Sequence, residues 1–188
     1  MTPADRPVVV PYDPAWQEDA AALCAGIRDA LGPLALHVEH IGSTSVPGMA
    51  AKPILDVQVS VADLEAAERA FGGPLEALGF GLSRYRRDHV PEGQADEPEQ
   101  WAKRLWVLPG RVNLHVRVAD APNDRLALLF RDWFRAHPEA VPAYSEFKRR
   151  LAGVVGSTGE YADTKDPVVD LVIVVAERWA GATGWSPH

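Results

Sequence analysis

Apolar residues first recur at helical spacing, at Trp16, Ala20, Leu23, Ile27 and Leu31, which predicts a helix with one buried face. Asp13-Pro14 supplies an N-cap and a proline for its first position, and Gly32-Pro33 stops it. The period then shortens to two. Leu36-Val38-His40 begins a strand that runs into a glycine-serine loop, and Ile54 to Val61 makes a second. There Leu55, Val57, Val59 and Val61 share one face, and Asp56 and Gln58 the other. Ala62 to Leu78 returns to helical spacing through Leu64, Ala67, Phe71 and Leu75, weakened near its end by Gly72-Gly73-Pro74.

Phe80 to Arg87 reads as a strand, and Asp88 to Gln100 (DHVPEGQADEPEQ) as an exposed polar loop long enough for a lid. Lys103–Leu108 and Arg111–Val118 form a hairpin around Pro109-Gly110. In the second strand of that hairpin Val112, Leu114, Val116 and Val118 face a core, leaving Asn113, His115 and Arg117 on the other side. Two apolar stripes follow at helical spacing. The first holds Leu126, Leu129, Phe130, Trp133 and Phe134, with Trp133 expected in the core, and the second Val141, Tyr144, Phe147 and Leu151, closed by Gly153. Asp166-Pro167 marks the start of a last element, whose run VVDLVIVV permits either helix or strand on pattern alone. Helix, strands and then helices give an α+β fold, with a small mixed sheet covered by helices on one face and a helical C-terminal part.

The 188 residues, 47% of them hydrophobic, suit a single domain spanning 1–188. No basic segment followed by an apolar one opens the chain, and no apolar run approaches membrane-spanning length, so a soluble cytoplasmic protein is expected. Cys24 lies on the apolar stripe of the first helix and reads as a structural thiol. A formal net charge of −7 excludes broad binding to nucleic acid or an anionic membrane. Even so, Arg84, Arg86, Arg87, Lys103, Arg104, Arg111 and Arg117 bias the middle of the chain toward a small anionic ligand or, equally, toward solvated strand ends.

Candidate chemistry concentrates in Glu39–Val59, EHIGSTSVPGMAAKPILDVQV. Gly42, the hydroxyls of Ser43, Thr44 and Ser45, and the Pro47-Gly48 turn make a loop that can bring backbone N–H groups to an anion. Lys52 either meets that anion or fixes an extended connection ahead of Pro53. Glu39 and His40 precede the loop on opposite strand faces, and alternation does not choose which of them looks into a site. Asp56, Gln58 and His115 lie on polar strand faces next to it.

The strings HIGSTSVPG, AKPILDVQV and LLFRDWFRAHPE, with LHV between the last two, resemble the GrpB family over about Val9 to Trp179. The resemblance implies a nucleotidyltransferase-like fold and favours a helix for the last element. It also implies a nucleotide or another phosphorylated small molecule as ligand, with metal-dependent nucleotidyl transfer as the candidate reaction. Nucleotidyltransferases of this kind place Gly-Ser before two carboxylates one residue apart, with a third on a neighbouring strand, so that divalent metal bridges the triphosphate. By that pattern Asp56 and His115 are the candidate catalytic and metal-holding residues, for magnesium, manganese or zinc, and Gly42, Ser43, Thr44, Lys52 and Gln58 bind ligand. Gln58 stands where the second acid belongs, a departure that weakens ordinary two-metal chemistry. The alternative is a non-catalytic accessory or binding module, in keeping with the fusion of this domain to dephospho-CoA kinase in some family members. Arg131, Asp132, Arg135 and His137 read as an interhelical or solvated face.

Overall fold

The structure is a computed structural model and describes residues 6–187; the opening residues read above for a leader lie partly outside that range. Helix α1 (Ala15–Leu31) leads through a 3₁₀ turn to β1 (His37–Ile41) and β2 (Leu55–Val61), then to α2 (Leu64–Ala77). A two-residue β3 (Gly81–Leu82), then β4 (Lys103–Leu108) and β5 (Val112–Val118), complete one sheet in the order β1-β2-β5-β4-β3. Its β2–β5 pair is parallel and the other pairs are antiparallel. Helices α3 (Pro122–Ala136), α4 (Val141–Val154) and α5 (Thr158–Thr183) form the C-terminal part. This is the α+β arrangement expected from the pattern.

The apolar sides of the strands meet α1 and α2. Val57, Val59, Leu114 and Val116 pack there with Ile27, Phe71 and Leu75, and all seven are fully buried. Cys24 belongs to this core, and burial pushes its thiol up to about 11. The opposite sheet face carries the polar residues and looks toward α3–α5, which pack in two clusters, Leu129 with Ile173 and Ala176 and Phe134 with Val141 and Tyr144. Among the described residues no helix is long and apolar enough to cross a membrane.

Several expected boundaries move for physical reasons. Asp13 accepts from the Ala15 amide at 3.0 Å, but the N-cap position of α1 falls on Pro14, one residue later than expected. Of the strand expected over 80–87 only Gly81–Leu82 pairs, with an isolated bridge at Arg87↔Ala102. The last helix starts eight residues before Asp166, because Ser157 accepts from the Glu160 amide at 3.1 Å while Glu160 accepts from the Gly156 amide at 2.7 Å. That reciprocal cap satisfies two end donors, and Pro167 is carried inside the helix. Trp133 is only half-buried; Phe134, 1% exposed, is the aromatic in the core.

Candidate functional site

Strand β1 ends at Ile41, and Gly42 turns the chain with φ 69° into a 3₁₀ turn over Ser43–Ser45. Glycine is needed here twice over. The positive φ disfavours a side chain, and a Cβ would stand 2.6 Å from Asp56 Oδ2. The turn is held by its own hydroxyls and by helices around it. Ser45 Oγ donates to the Gly42 carbonyl at 2.6 Å, Thr44 Oγ1 meets His40 Nε2 at 2.8 Å, and Gln17 donates to the Thr44 carbonyl at 2.9 Å. From α3, Arg135 donates to the Ser45 carbonyl at 2.9 and 3.1 Å, and Arg131 to the His40 carbonyl at 3.2 Å and Glu39 Oε1 at 3.1 Å. The charged face of α3 is therefore a clamp on the loop. Glu39 sits opposite Gln58 in the register, and His40 opposite Val57. Burial and the nearby Arg135 bring the His40 imidazole down to about 4, so it is neutral at pH 7.

Asp56 and Asn113 are neighbours across the parallel pair, and Asn113 donates to Asp56 Oδ1 at 2.9 Å. His115 Nε2 lies 3.7 Å from the same oxygen. Both residues line a cavity of about 420 Å³ between the polar sheet face and α3–α5. Burial alone would push the Asp56 carboxyl up, but His115 and Asn113 hold it below its ordinary value. Burial and Arg117 lower His115 against the pull of Asp56. The pair is thus a carboxylate beside a neutral imidazole.

Gln58 does not reach this cavity. It is 1% exposed, and its amide donates to the Asp124 carbonyl at 3.0 Å and to Asp124 Oδ1 at 2.9 Å, while Arg117 donates to its oxygen. Ser60 also donates to Asp124 Oδ1, at 2.6 Å. Asp88, placed by its sequence context in an exposed loop, is instead gripped by Lys103 at 2.6 Å, Arg117 at 2.8 and 3.1 Å, and Asn123 at 3.0 Å. Burial works against its charge, yet Arg117 and Lys103 hold the carboxyl far below the usual range. A buried charge survives only when paired in this way. The spacing of Asp88 and Asp124 in the chain carried no signal of this network, because it is assembled by residues far apart in sequence.

The loop meets a cluster of lysines that sequence reasoning did not connect. Lys52, Lys148 and Lys165 all line the cavity with Gly42, Ser43 and Thr44. Lys148, 2% exposed, has its Nζ 2.9 Å from Ser43 Oγ and 5.0 Å from the centre of the Tyr144 ring. Burial, reinforced by Lys165 and Arg149, lowers it to about 7. Lys165 is lowered by burial too, with Asp166 and Asp56 opposing. Lys52 Nζ lies 5.3 Å from the centre of the Tyr161 ring. Among the described residues Lys165 makes no hydrogen bond or salt bridge. Toward the mouth, His89 Nε2 is 3.1 Å from Asp170 and its Nδ1 3.9 Å from Asp166, and Trp101, Leu126, Phe130 and Ile173 give the wall an apolar stretch. No three His, Cys, Asp or Glu side chains come together as a metal set among the described residues.

A family model described as GrpB protein matches residues 6–174. A protein named Dephospho-CoA kinase from Mycolicibacterium paratuberculosis is 34% identical over 196 residues, covering 95% of this chain and 48% of its own length. The chain thus spans about half the length of the curated relatives it matches first. A UPF0157 protein from Halalkalibacterium halodurans is 37% identical over 164 residues, 86% of this chain and 78% of its own. Among solved structures, that of the conserved protein GrpB from Enterococcus faecalis superposes with a TM-score of 0.73 at 28% identity, covering 92% of this chain and 99% of that one.

Proposed function

The chain belongs to the GrpB family, and on that premise we propose that its cavity binds a nucleotide or another phosphorylated small molecule. One observation carries the reading. Three lysines line the cavity with the Gly42-Ser43 loop, opposed by the carboxylates of Asp56 and Asp166, and Lys165 among them makes no hydrogen bond or salt bridge among the described residues. A desolvated ammonium without a hydrogen-bond partner is costly, and a phosphate supplies both the charge and the acceptor oxygens that Lys165 lacks. The cavity volume suits a small-molecule ligand, and the apolar wall at Trp101 and Phe130 suits its organic part.

Asp56 Oδ1 and His115 Nε2 lie 3.7 Å apart, wider than the roughly 3.0–3.4 Å that two bonds of about 2.1 Å span at octahedral or tetrahedral angles, so they would have to close slightly on a shared cation. They would hold a divalent ion only as a partial set, and phosphate oxygens would have to supply the remaining ligands. Magnesium, manganese or zinc held there would neutralise charge developing on a phosphoryl group. Lys52 and Lys165 attract and orient the phosphates, Ser43 contacts them, and nucleotidyl transfer is the reaction to test. The burial of Gln58, which ties β2 to α3 in place of a second acid, favours the other reading of a module that binds without turnover.

Thermal-shift measurements with nucleoside mono-, di- and triphosphates, each with and without magnesium, manganese and zinc, test the proposal. Stabilisation that grows with phosphate number and is lost in Lys165→Met supports it. Equal melting temperatures with every nucleotide would remove it.

A further inference from the structure

We propose that Ser43 is a nucleophile toward activated phosphoric esters and that Lys148 is the base that takes its proton. The three hydroxyls of the turn are engaged differently. Ser45 Oγ spends its proton on the Gly42 carbonyl at 2.6 Å and is fully buried; Thr44, 1% exposed, is taken by His40. Only Ser43 meets an amine, at 2.9 Å, and it lines the cavity. Lys52 and Lys165 line the cavity without meeting a hydroxyl of the turn among the described residues. Lys148 is instead enclosed beneath the loop on α4, its ammonium lowered to about 7, so an appreciable share is neutral amine at physiological pH. In that form Nζ accepts and the Ser43 hydroxyl donates, the arrangement in which a serine is activated by an adjacent base.

The groups facing Lys148 from every side set this state. Lys165 comes from α5, Tyr144 and Arg149 from its own helix and Asp56 from β2, while Lys52, Tyr161 and Asp166 line the same cavity. Burial first, and then Lys165 and Arg149 against the one opposing carboxylate, Asp56, keep the amine from holding its proton. The same cations would stabilise negative charge gathering on a phosphoryl group under attack.

With a nucleoside triphosphate the step balances as follows. Ser43 Oγ forms a bond to the α-phosphorus, the bond from that phosphorus to the bridging oxygen breaks, and pyrophosphate leaves with the electron pair. The hydroxyl proton passes to Lys148 Nζ, which becomes ammonium. The product is a nucleotidyl ester on Ser43. This nucleotide form of the step rests on the phosphate-binding reading of the cavity; the nucleophilicity of Ser43 does not.

The test separates the two. The full chain is incubated with a fluorophosphonate probe between pH 5.5 and 9, where the same attack expels fluoride, and the labelled residue is located by peptide mass spectrometry. Expected is labelling at Ser43, rising with pH through a midpoint near 7, abolished in Ser43→Ala and slowed about 100-fold or more in Lys148→Met, a loss typical of removing a general base. Circular dichroism and melting confirm that each variant is folded. Lys148→Arg, which retains charge without a usable base, serves if the methionine variant fails to fold, and should be equally slow. Labelling of Ser43 without any nucleotide binding would sustain the nucleophile and overturn the nucleotide reading. Nucleotide binding without labelling would do the reverse. Labelling confined to another residue, or as fast in the Lys148 variants as in the wild type, overturns the proposal.

Discussion

Lys148→Met should make the free protein more stable at neutral pH, although it deletes a hydrogen bond. The side chain is 2% exposed, and its ammonium is lowered from the usual 10.5 to about 7, first by burial and then by Lys165 and Arg149. Between those two values the unfolded chain holds a proton that the folded chain has released, so stability climbs with pH from about 7 to 10.5 and the cost is complete below 7. At about 1.4 kcal/mol per pH unit, the cost at pH 7 is about 4 kcal/mol. Losing the 2.9 Å contact to Ser43 returns about 1 kcal/mol, leaving a net gain of about 2–4 kcal/mol for the variant. Urea melts at pH 7, 8 and 9.5 on both proteins check it. The difference between them should shrink steadily as pH rises, other titrations being common to both. A constant difference, or a less stable variant at pH 7, would refute the reasoning.

Asp88→Asn should cost about 3–5 kcal/mol by leaving Arg117 and Lys103 buried without a carboxylate, and denaturant melts read it directly. Because the Asp88 carboxyl is held below its ordinary range, its contribution is present above about pH 4 and disappears as pH falls below that, so acid melts of the wild type should be steeper than those of the variant. Gly42→Ala should lower stability by about 1–3 kcal/mol through the positive φ and displace Asp56, which thermal shifts with and without nucleotide would register. Phe134→Ala should cost about 3–5 kcal/mol, and Trp133→Ala less, since Trp133 is half-buried and stacks on His137 with ring centres 4.7 Å apart; equal losses in parallel melts would mean that the two rings contribute alike.

The strands could be read from the chain because one face of each is apolar, and that same alternation placed Asp56 and His115 together across β2 and β5. The glycine-serine loop was legible from composition, and Gly42 beside Asp56 gives its glycine a physical cause. What alternation could not provide was depth. Asp56 and Gln58 share a strand face, yet Asp56 opens to the cavity while Asp124 and Arg117 cover Gln58. Arg131 and Arg135 read as an interhelical or solvated face, and only the packing of α3 against β1 turns them into the loop's clamp. Lys148 and Lys165 lie more than 90 residues beyond Gly42 on helices whose patterns mark only their apolar faces. The Ser157-Thr158-Gly159-Glu160 capping signature was present in the sequence, but Asp166-Pro167 competed with it as a start signal.

The central claim is that the lysine cluster receives phosphate, and titration calorimetry of ATP at pH 8, in two buffers of different ionisation enthalpy, tests it most directly. A bound phosphate raises the lowered lysines, so wild-type protein should take up protons on binding, bind more tightly with manganese or magnesium present, and lose about 10–100-fold in affinity in Lys165→Met, the worth of a hydrogen bond to a charged group. Absence of ATP binding to the wild type, or binding with no proton uptake and unchanged affinity in Lys165→Met, would contradict the account.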